Sequence, residues 1–387
     1  MNEKIENIVF KGIRGCRKLS RKRFASDKIE KILVLRIDHL GDMVCTIPFI
    51  RELRKNYPNA EIDLLCSAEV YNYVELNPYV NKIIKYSKPK IKKHVFERTI
   101  MFMYRFAREH FKDNYYDIVF TPECPTPATT RILAHFIRAK KVVSFVADDA
   151  YFKVTDTKFS RKIFPVRHTV ENCLDLLTAV QGKWDNDELE IWADDNDKRI
   201  VDKLLAEIGV SEDRLKVVMF ISTSADYKDW AVENYAKVAE ALIEKYHAQI
   251  ILLGAKSDTY EKGKVFMKLV PQAYNLIGRT TIRQTGVIIK KADVYLGGDT
   301  GTLHLAAACK INGVVITKDY EGAYGSVGSA MDRFYPWHSP IVIMRPNQPL
   351  AGCEKECMKT YAHCINQITP DEVFKELSDI IENTLNK

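Results

Sequence analysis

The stretch Arg36-Ile-Asp-His-Leu-Gly-Asp42-Met-Val-Cys-Thr-Ile-Pro48 sets a carboxylate directly after a glycine, where a strand gives way to a helix. Gly41 permits a tight turn, and Asp42 then sits near a helix N-terminus. Backbone N–H groups there favour the ionised carboxylate, a proton acceptor at neutral pH. A plain helix cap is the competing reading, since Asp is common in that role. A second constellation, Gly297-Gly-Asp299-Thr-Gly-Thr-Leu-His304, also lies where a strand meets a helix. Gly298 and Gly301 clear room for a ligand, Thr300 and the first helical N–H groups offer donors to a phosphate, and His304 falls one turn into the helix. Here the competing reading is a structural junction with a core histidine. The third, Thr223-Ser-Ala-Asp-Tyr-Lys228-Asp-Trp230, carries the hydroxyls of Thr223 and Ser224 and one lysine beyond a strand end. That chemistry suits a diphosphate, although a solvated loop anchored by Trp230 has the same composition.

Other clusters are weaker. There is no Gly-x-Gly-x-x-Gly, which disfavours an ordinary dinucleotide site. Asp185-Asn-Asp187 and Asp195-Asn-Asp197 imitate metal-binding acidic pairs, but they fall in a polar connector and are expected to be solvated. Cys353-x3-Cys357-x6-Cys364, with His363 and His338 nearby, is irregular for a structural metal site, which wants four ligands and commonly a C-x2-C pair. Reduced thiols packing a loop is the preferred reading, with metal left as the alternative. No cofactor is called for.

The elements that must position these residues alternate. Strands are expected at 31–36, 61–66, 82–86, 117–121 and 141–145, with helices at 44–55, 95–112 and 129–138 between them. After a pause from about 147 to 216, containing helices at 170–180 and 198–208, the alternation resumes. Strands are then expected at 216–221, 249–253, 293–296 and 313–317, and helices at 232–245, 259–269, 282–290, 302–308 and 370–383. The pattern predicts two doubly wound parallel sheets in tandem, with the active site in a cleft at the carboxyl ends of the strands. The expected organisation is a basic tail over 1–30, a first Rossmann-like domain over 31–182 and a second over 183–369. A last helix, 370–387, is expected to pack back toward the first domain.

The 387 residues, 46% hydrophobic and 28% charged, fit two domains each large enough for a core and exclude a disordered or collagen-like chain. No apolar run nears the roughly 18 residues of a membrane span, and basic residues interrupt any signal-peptide core. A cytoplasmic address with reduced cysteines is expected. Of the net charge of +7, residues 1–31 contribute +6 and residues 85–112 another +7, so the remainder is acidic. Two local basic patches suggest an anionic partner, either a membrane's cytoplasmic face or a phosphorylated substrate. The stretch 5–24 intersperses apolar and basic residues, as an interfacial helix or a disordered basic arm would. No recognised motif points to nucleic acid.

Taken together, Gly41-Asp42 with Thr46 and Pro48, Lys228-x-Trp230 and Asp299-Thr-Gly-x-x-His304 resemble the motifs of glycosyltransferase family 9, the lipopolysaccharide heptosyltransferases. Asn275-Leu-Ile-Gly-Arg-Thr-Thr-Ile and His168-Thr-Val-Glu-Asn-Cys-Leu-Asp-Leu-Leu177 are similar to the family as well, and the resemblance spans about 31 to 381. It implies a GT-B fold, with acceptor bound mainly by the first domain and nucleotide sugar mainly by the second. It implies Asp42 as general base, Lys228 with Thr223 and Ser224 on the donor diphosphate, and Asp299, Thr300, Gly301 and His304 completing the donor site. The implied reaction is an inverting, metal-independent transfer of heptose or a related sugar from ADP-heptose to an anionic glycan or glycolipid acceptor, such as a lipopolysaccharide core. One base and a leaving nucleoside diphosphate suit such a transfer, whereas hydrolysis would want a second, acidic carboxyl flanking the bond. The chain departs from the family in placing Lys256 where an acidic residue near the ribose is usual. The alternatives are a protein heptosyltransferase with the same motifs and a non-catalytic sugar-nucleotide or glycan-binding scaffold of the same fold.

Overall fold

The computed structural model describes residues 28–87, 96–123, 127–145, 157–159, 167–323, 329–354 and 359–385. The expectations for 1–27 and for the middle of the second basic patch, and Cys357 itself, lie outside the described residues. The described residues form two compact units, one built from 28–39, 46–159 and 169–187, the other from 40–45, 167–168 and 188–385.

The first unit holds β1 (Lys31–Arg36), β2 (Glu61–Ser67), β3 (Lys82–Tyr86), β4 (Tyr116–Thr121), β5 (Ala139–Phe145) and β6 (Thr157–Phe159) in one sheet of order β3-β2-β1-β4-β5-β6. Every pairing is parallel. The central strands read as unbroken apolar runs because helices cover both faces of such a sheet. Ile32, Leu33, Val34 and Leu35 of β1 are all fully buried. The longer helices are α1 (Leu40–Asn56), whose first six residues count with the second unit, α2 (Phe96–Phe111), α3 (Ala128–Phe136) and α4 (Thr169–Asp175), the last continued by a 3-10 turn over Leu176–Val180. The sixth strand is an addition to the five expected, since three residues, Thr157-Lys-Phe159, give no readable period.

The second unit repeats the plan with β7 (Lys216–Phe220), β8 (Gln249–Leu252), β9 (Tyr274–Asn275), β10 (Val294–Gly298), β11 (Asn312–Ile316) and β12 (Ile341–Met344), in the order β12-β11-β10-β7-β8-β9. In both sheets the first strand lies between the second and the fourth. The chain therefore reverses direction there, opening a crevice at the carboxyl ends. The longer helices here are α5 (Asp195–Glu207), α6 (Val232–Tyr246), α7 (Lys256–Leu269), α8 (Ile282–Lys291), α9 (Gly301–Ala308) and α10 (Pro370–Leu385).

The final helix α10 packs within this unit. Val373, Leu377 and Ile381, spaced four apart, enter the core that α6 and the second sheet share, and Lys245 of α6 pairs with Glu382 at 2.8 Å. Asp197 is not solvated. It is buried as the third residue of α5, where it completes a capping box with Asp194 and receives the Arg283 guanidinium at 2.6 Å. Asp185 does stay at the surface, held by Lys55 at 2.6 Å.

Candidate active site

Helix α1 begins at Leu40, four residues before its expected start, because Gly41 and Asp42 already form its first turn. Its N-cap position belongs to His39, whose side chain makes no capping bond, and Asp42 is the third residue in. The N-cap of α9 is Thr300, again with no side-chain cap. Neither capping side chain satisfies the first backbone N–H groups, although the Leu303 N–H donates to the Thr300 carbonyl at 3.1 Å, and helix starts of this kind favour an anion.

These two helix starts touch. A Cβ at Gly301 would fall 2.8 Å from the Cβ of Leu40 and 3.0 Å from the Gly41 nitrogen. Neither position has room for a side chain, so the glycines serve close backbone approach rather than turn geometry alone. His304, on the second turn of α9, is buried, with Nδ1 3.5 Å from the Cys45 sulfur. Burial holds its pKa below the usual histidine value, and the nearby carboxylates of Asp299 and Asp42 pull only partly the other way. The ring is neutral at pH 7 and sits within electrostatic reach of both carboxylates.

The switch point between β7 and β10 supplies the rest. The two strands pair through Gly297 and Phe220, so the loops that follow them start side by side. Lys228 consequently reaches Asp299, with Nζ 3.6 Å from Oδ2 and both side chains mostly buried. Thr223 packs against Gly298, and its hydroxyl donates to the Ala225 carbonyl at 3.0 Å while its amide donates to Asp229 at 2.6 Å. These bonds shape the loop, and the neighbouring Ser224 is exposed. Thr300 shares a hydrogen bond of 2.7 Å with Thr302. Trp230 is buried as an anchor, and its indole N–H donates to the Ile368 carbonyl at 2.9 Å.

Sequence reasoning missed several partners. Asp229 is clamped by Lys262 and fixes the Thr223 amide. Lys318 and Asp319, paired at 2.7 Å just past β11, put a second half-buried lysine at the carboxyl end of the sheet, with its ammonium 5.7 Å from the Tyr227 ring. Its signal was a charged pair directly after an apolar strand. In the first unit, Glu123 follows β4 and is buried against Asp38, which lies 3.5 Å from the Arg36 Nε. Burial and then the Asp38 carboxyl raise the Glu123 pKa, with Arg36 pulling down less strongly. His168 is held down to about 3, chiefly by burial, with its ring stacked on Trp337 at 4.4 Å and Nε2 donating to the Tyr335 carbonyl. His338, grouped with the cysteines from sequence, instead faces Glu188 at 3.4 Å.

The family model described as glycosyltransferase family 9 (heptosyltransferase) matches residues 81–357. Lipooligosaccharide heptosyltransferase 2 of Haemophilus ducreyi is 23% identical over 364 residues, covering 91% of this chain and 99% of that protein. A family 9 glycosyltransferase structure from Veillonella parvula superposes with a TM-score of 0.75 at 17% identity, covering 93% of this chain and all of that one. The Escherichia coli structure named ADP-heptose lipopolysaccharide heptosyltransferase II gives 0.67 at 18% identity, over 92% of this chain and 99% of that one. Both are GT-B proteins, and the two doubly wound parallel sheets described here are that fold. The chain belongs to glycosyltransferase family 9, the heptosyltransferases.

Proposed function

We propose that this protein transfers heptose from ADP-heptose to a sugar hydroxyl of a lipopolysaccharide core, with inversion at the anomeric carbon and Asp42 as general base. The observation that carries the reading is the contact of the two uncapped helix starts at Gly41 and Gly301, with Asp42 on one and the Asp299–His304 loop on the other. An acceptor oxygen attacks the heptose C1 from the face opposite the diphosphate while Asp42 takes its proton. The C1–O bond to phosphate breaks, and the electron pair leaves with ADP. Lys228, Ser224 and the first N–H groups of α9 receive the developing charge. Asp299 holds Lys228 until the diphosphate displaces it, and neutral His304 adds no competing charge. These groups carry out the transfer without calling on a metal.

The H. ducreyi relative's name gives a lipooligosaccharide product and the E. coli structure's name gives ADP-heptose, and both choices are adopted here on that support. Among the described residues no helix is long and apolar enough to cross a membrane. The two basic patches support a cytoplasmic protein that docks on the anionic inner face of the membrane to reach its acceptor.

The test is incubation with ADP-heptose and heptose-accepting core oligosaccharides, with mass spectrometry of the products. A mass gain of one heptose with matching ADP release is expected. Tight ADP-heptose binding with no acceptor-dependent release would replace the transferase by a binding scaffold, and a gain on protein alone would replace the acceptor.

A further inference from the structure

Outside the candidate active site, one group of side chains brings two sulfurs and an imidazole nitrogen together. Cys353 follows β12, His363 precedes a 3-10 turn over Cys364–Gln367, and that turn leads into α10. The Nδ1 of His363 faces two sulfurs at once, Cys353 at 3.5 Å and Cys364 at 3.6 Å. The three atoms all lie within 4.8 Å of one another, and both cysteines are buried. A metal ion placed among them would be bound by all three atoms. With metal–sulfur bonds of about 2.3 Å and metal–nitrogen bonds of about 2.0–2.1 Å, a tetrahedral centre sets sulfur and nitrogen about 3.5 Å apart.

The backbone holds these ligands in place. Gly352 has φ +83, a conformation that favours glycine, and its N–H bonds to Glu354 at 2.9 Å, fixing the turn at Cys353. Gln367 donates to the carbonyls of Gln348 and Cys364, tying the two segments together. We propose that Cys353, His363 and Cys364 bind a thiophilic divalent transition ion, Zn²⁺ or Fe²⁺, as a structural clip. A sulfur–sulfur–nitrogen set selects such ions over Mg²⁺ or Ca²⁺, and it leaves a fourth coordination position for a further ligand or water. Binding deprotonates both thiols and releases their protons.

The clip has a consequence at a distance. Ile365 and Ile368 enter the core of the second unit, and Ile368 accepts the indole N–H of Trp230, two residues after Lys228. Fastening Cys364 therefore steadies the segment against which the lysine loop is anchored. The clip is a fastening for that segment and takes no part in group transfer.

The test reads metal rather than transfer, so its failure leaves the proposed reaction untouched. Protein purified without chelators is analysed for zinc and iron by mass spectrometry, and apoprotein is titrated with Co²⁺ and followed by absorption. One metal per chain is expected, with a thiolate-to-cobalt charge-transfer band and the intense visible bands of a tetrahedral site. Cys364→Ser should weaken Co²⁺ binding by more than about tenfold, while Cys309→Ser, a cysteine on α9's far end, should not. Equal binding by the two variants, or wild-type protein that is metal-free and gives no charge-transfer band, would overturn the proposal. Should Cys364→Ser fail to fold, thiol titration of the wild type decides. Protection of two thiols lifted by a chelator supports the clip, and reactivity indifferent to the chelator refutes it.

Discussion

Gly41 lies against the imidazole of His304 so closely that a methyl group at position 41 would sit 2.5 Å from Cδ2 and 3.0 Å from Nε2. A residue on the first turn of α1 and one on the second turn of α9, 263 positions apart in the chain, therefore share one wall. Replacing that glycine sets two effects against each other. Alanine in a helix is favoured over glycine by up to about 1 kcal/mol, whereas overpacking a buried contact costs typically about 1–3 kcal/mol. Overpacking wins, because the ring is buried on its other side by Cys45. Gly41→Ala should lower the melting temperature, and Gly41→Ala with His304→Ala should recover most of the loss. A single variant more stable than wild type would show that the contact is loose.

Asp42→Asn keeps the volume and the capping ability of the residue but cannot take a proton. Turnover should fall by about 10²–10⁴, with donor affinity and melting temperature nearly unchanged. Because His39 rather than Asp42 holds the N-cap position, an unaffected rate could not be explained by a retained cap. It would remove Asp42 from the chemistry.

Lys228→Ala should act on binding first. A hydrogen bond to a charged group contributes about 1.5–3 kcal/mol, so the donor dissociation constant should rise by roughly tenfold or more. It should also leave Asp299 without its cation, and turnover should fall as well because the leaving diphosphate loses the same charge. Calorimetry with ADP alone separates the two effects. Unchanged ADP affinity would place the diphosphate elsewhere, with Lys318 the next residue to examine.

His168 titrates at about 3 when folded, against 6.5 for an ordinary histidine. Between those values the unfolded chain takes up a proton that the folded protein refuses. The term this residue contributes to stability therefore falls as the pH drops, by about 1.4 kcal/mol per unit. Glu123, whose pKa is raised, works in the opposite direction, so the wild-type curve alone mixes the two. The informative quantity is the difference between wild type and His168→Gln in urea denaturation at pH 6.5 and pH 5. The variant should be less acid-sensitive, and parallel pH dependences would contradict a buried neutral imidazole.

Docking on an anionic membrane should follow from the basic patches at 1–31 and 85–112. Each Lys or Arg near such a surface adds about 1 kcal/mol, screened by salt. Sedimentation with phosphatidylserine vesicles should fall with added salt and with removal of residues 1–26. Binding that ignores both would assign the patches another role.

Strand and helix order was readable in the residues because it rests on local periodicity. Apolar runs such as Ile32–Leu35 cannot lie at a surface, and glycine with Asp marks the junctions at Gly41-Asp42 and Gly298-Asp299. The three loops that carry Asp42, Lys228 and Asp299 were found for the same reason, since each motif is contiguous. Short strands such as β6, β9 and β12 were not, because two to four residues carry no period. What only the tertiary structure decided are contacts between distant segments. The pairing of β7 with β10 puts Lys228 beside Asp299, and α1 brings Gly41 onto His304. The Arg283 side chain keeps Asp197 out of water. Packing against α6 claims the last helix for the second sheet, and a turn before that helix closes Cys364 and His363 onto Cys353. A linear spacing holds none of these, because each depends on which faces the parallel sheets leave for a helix to cover.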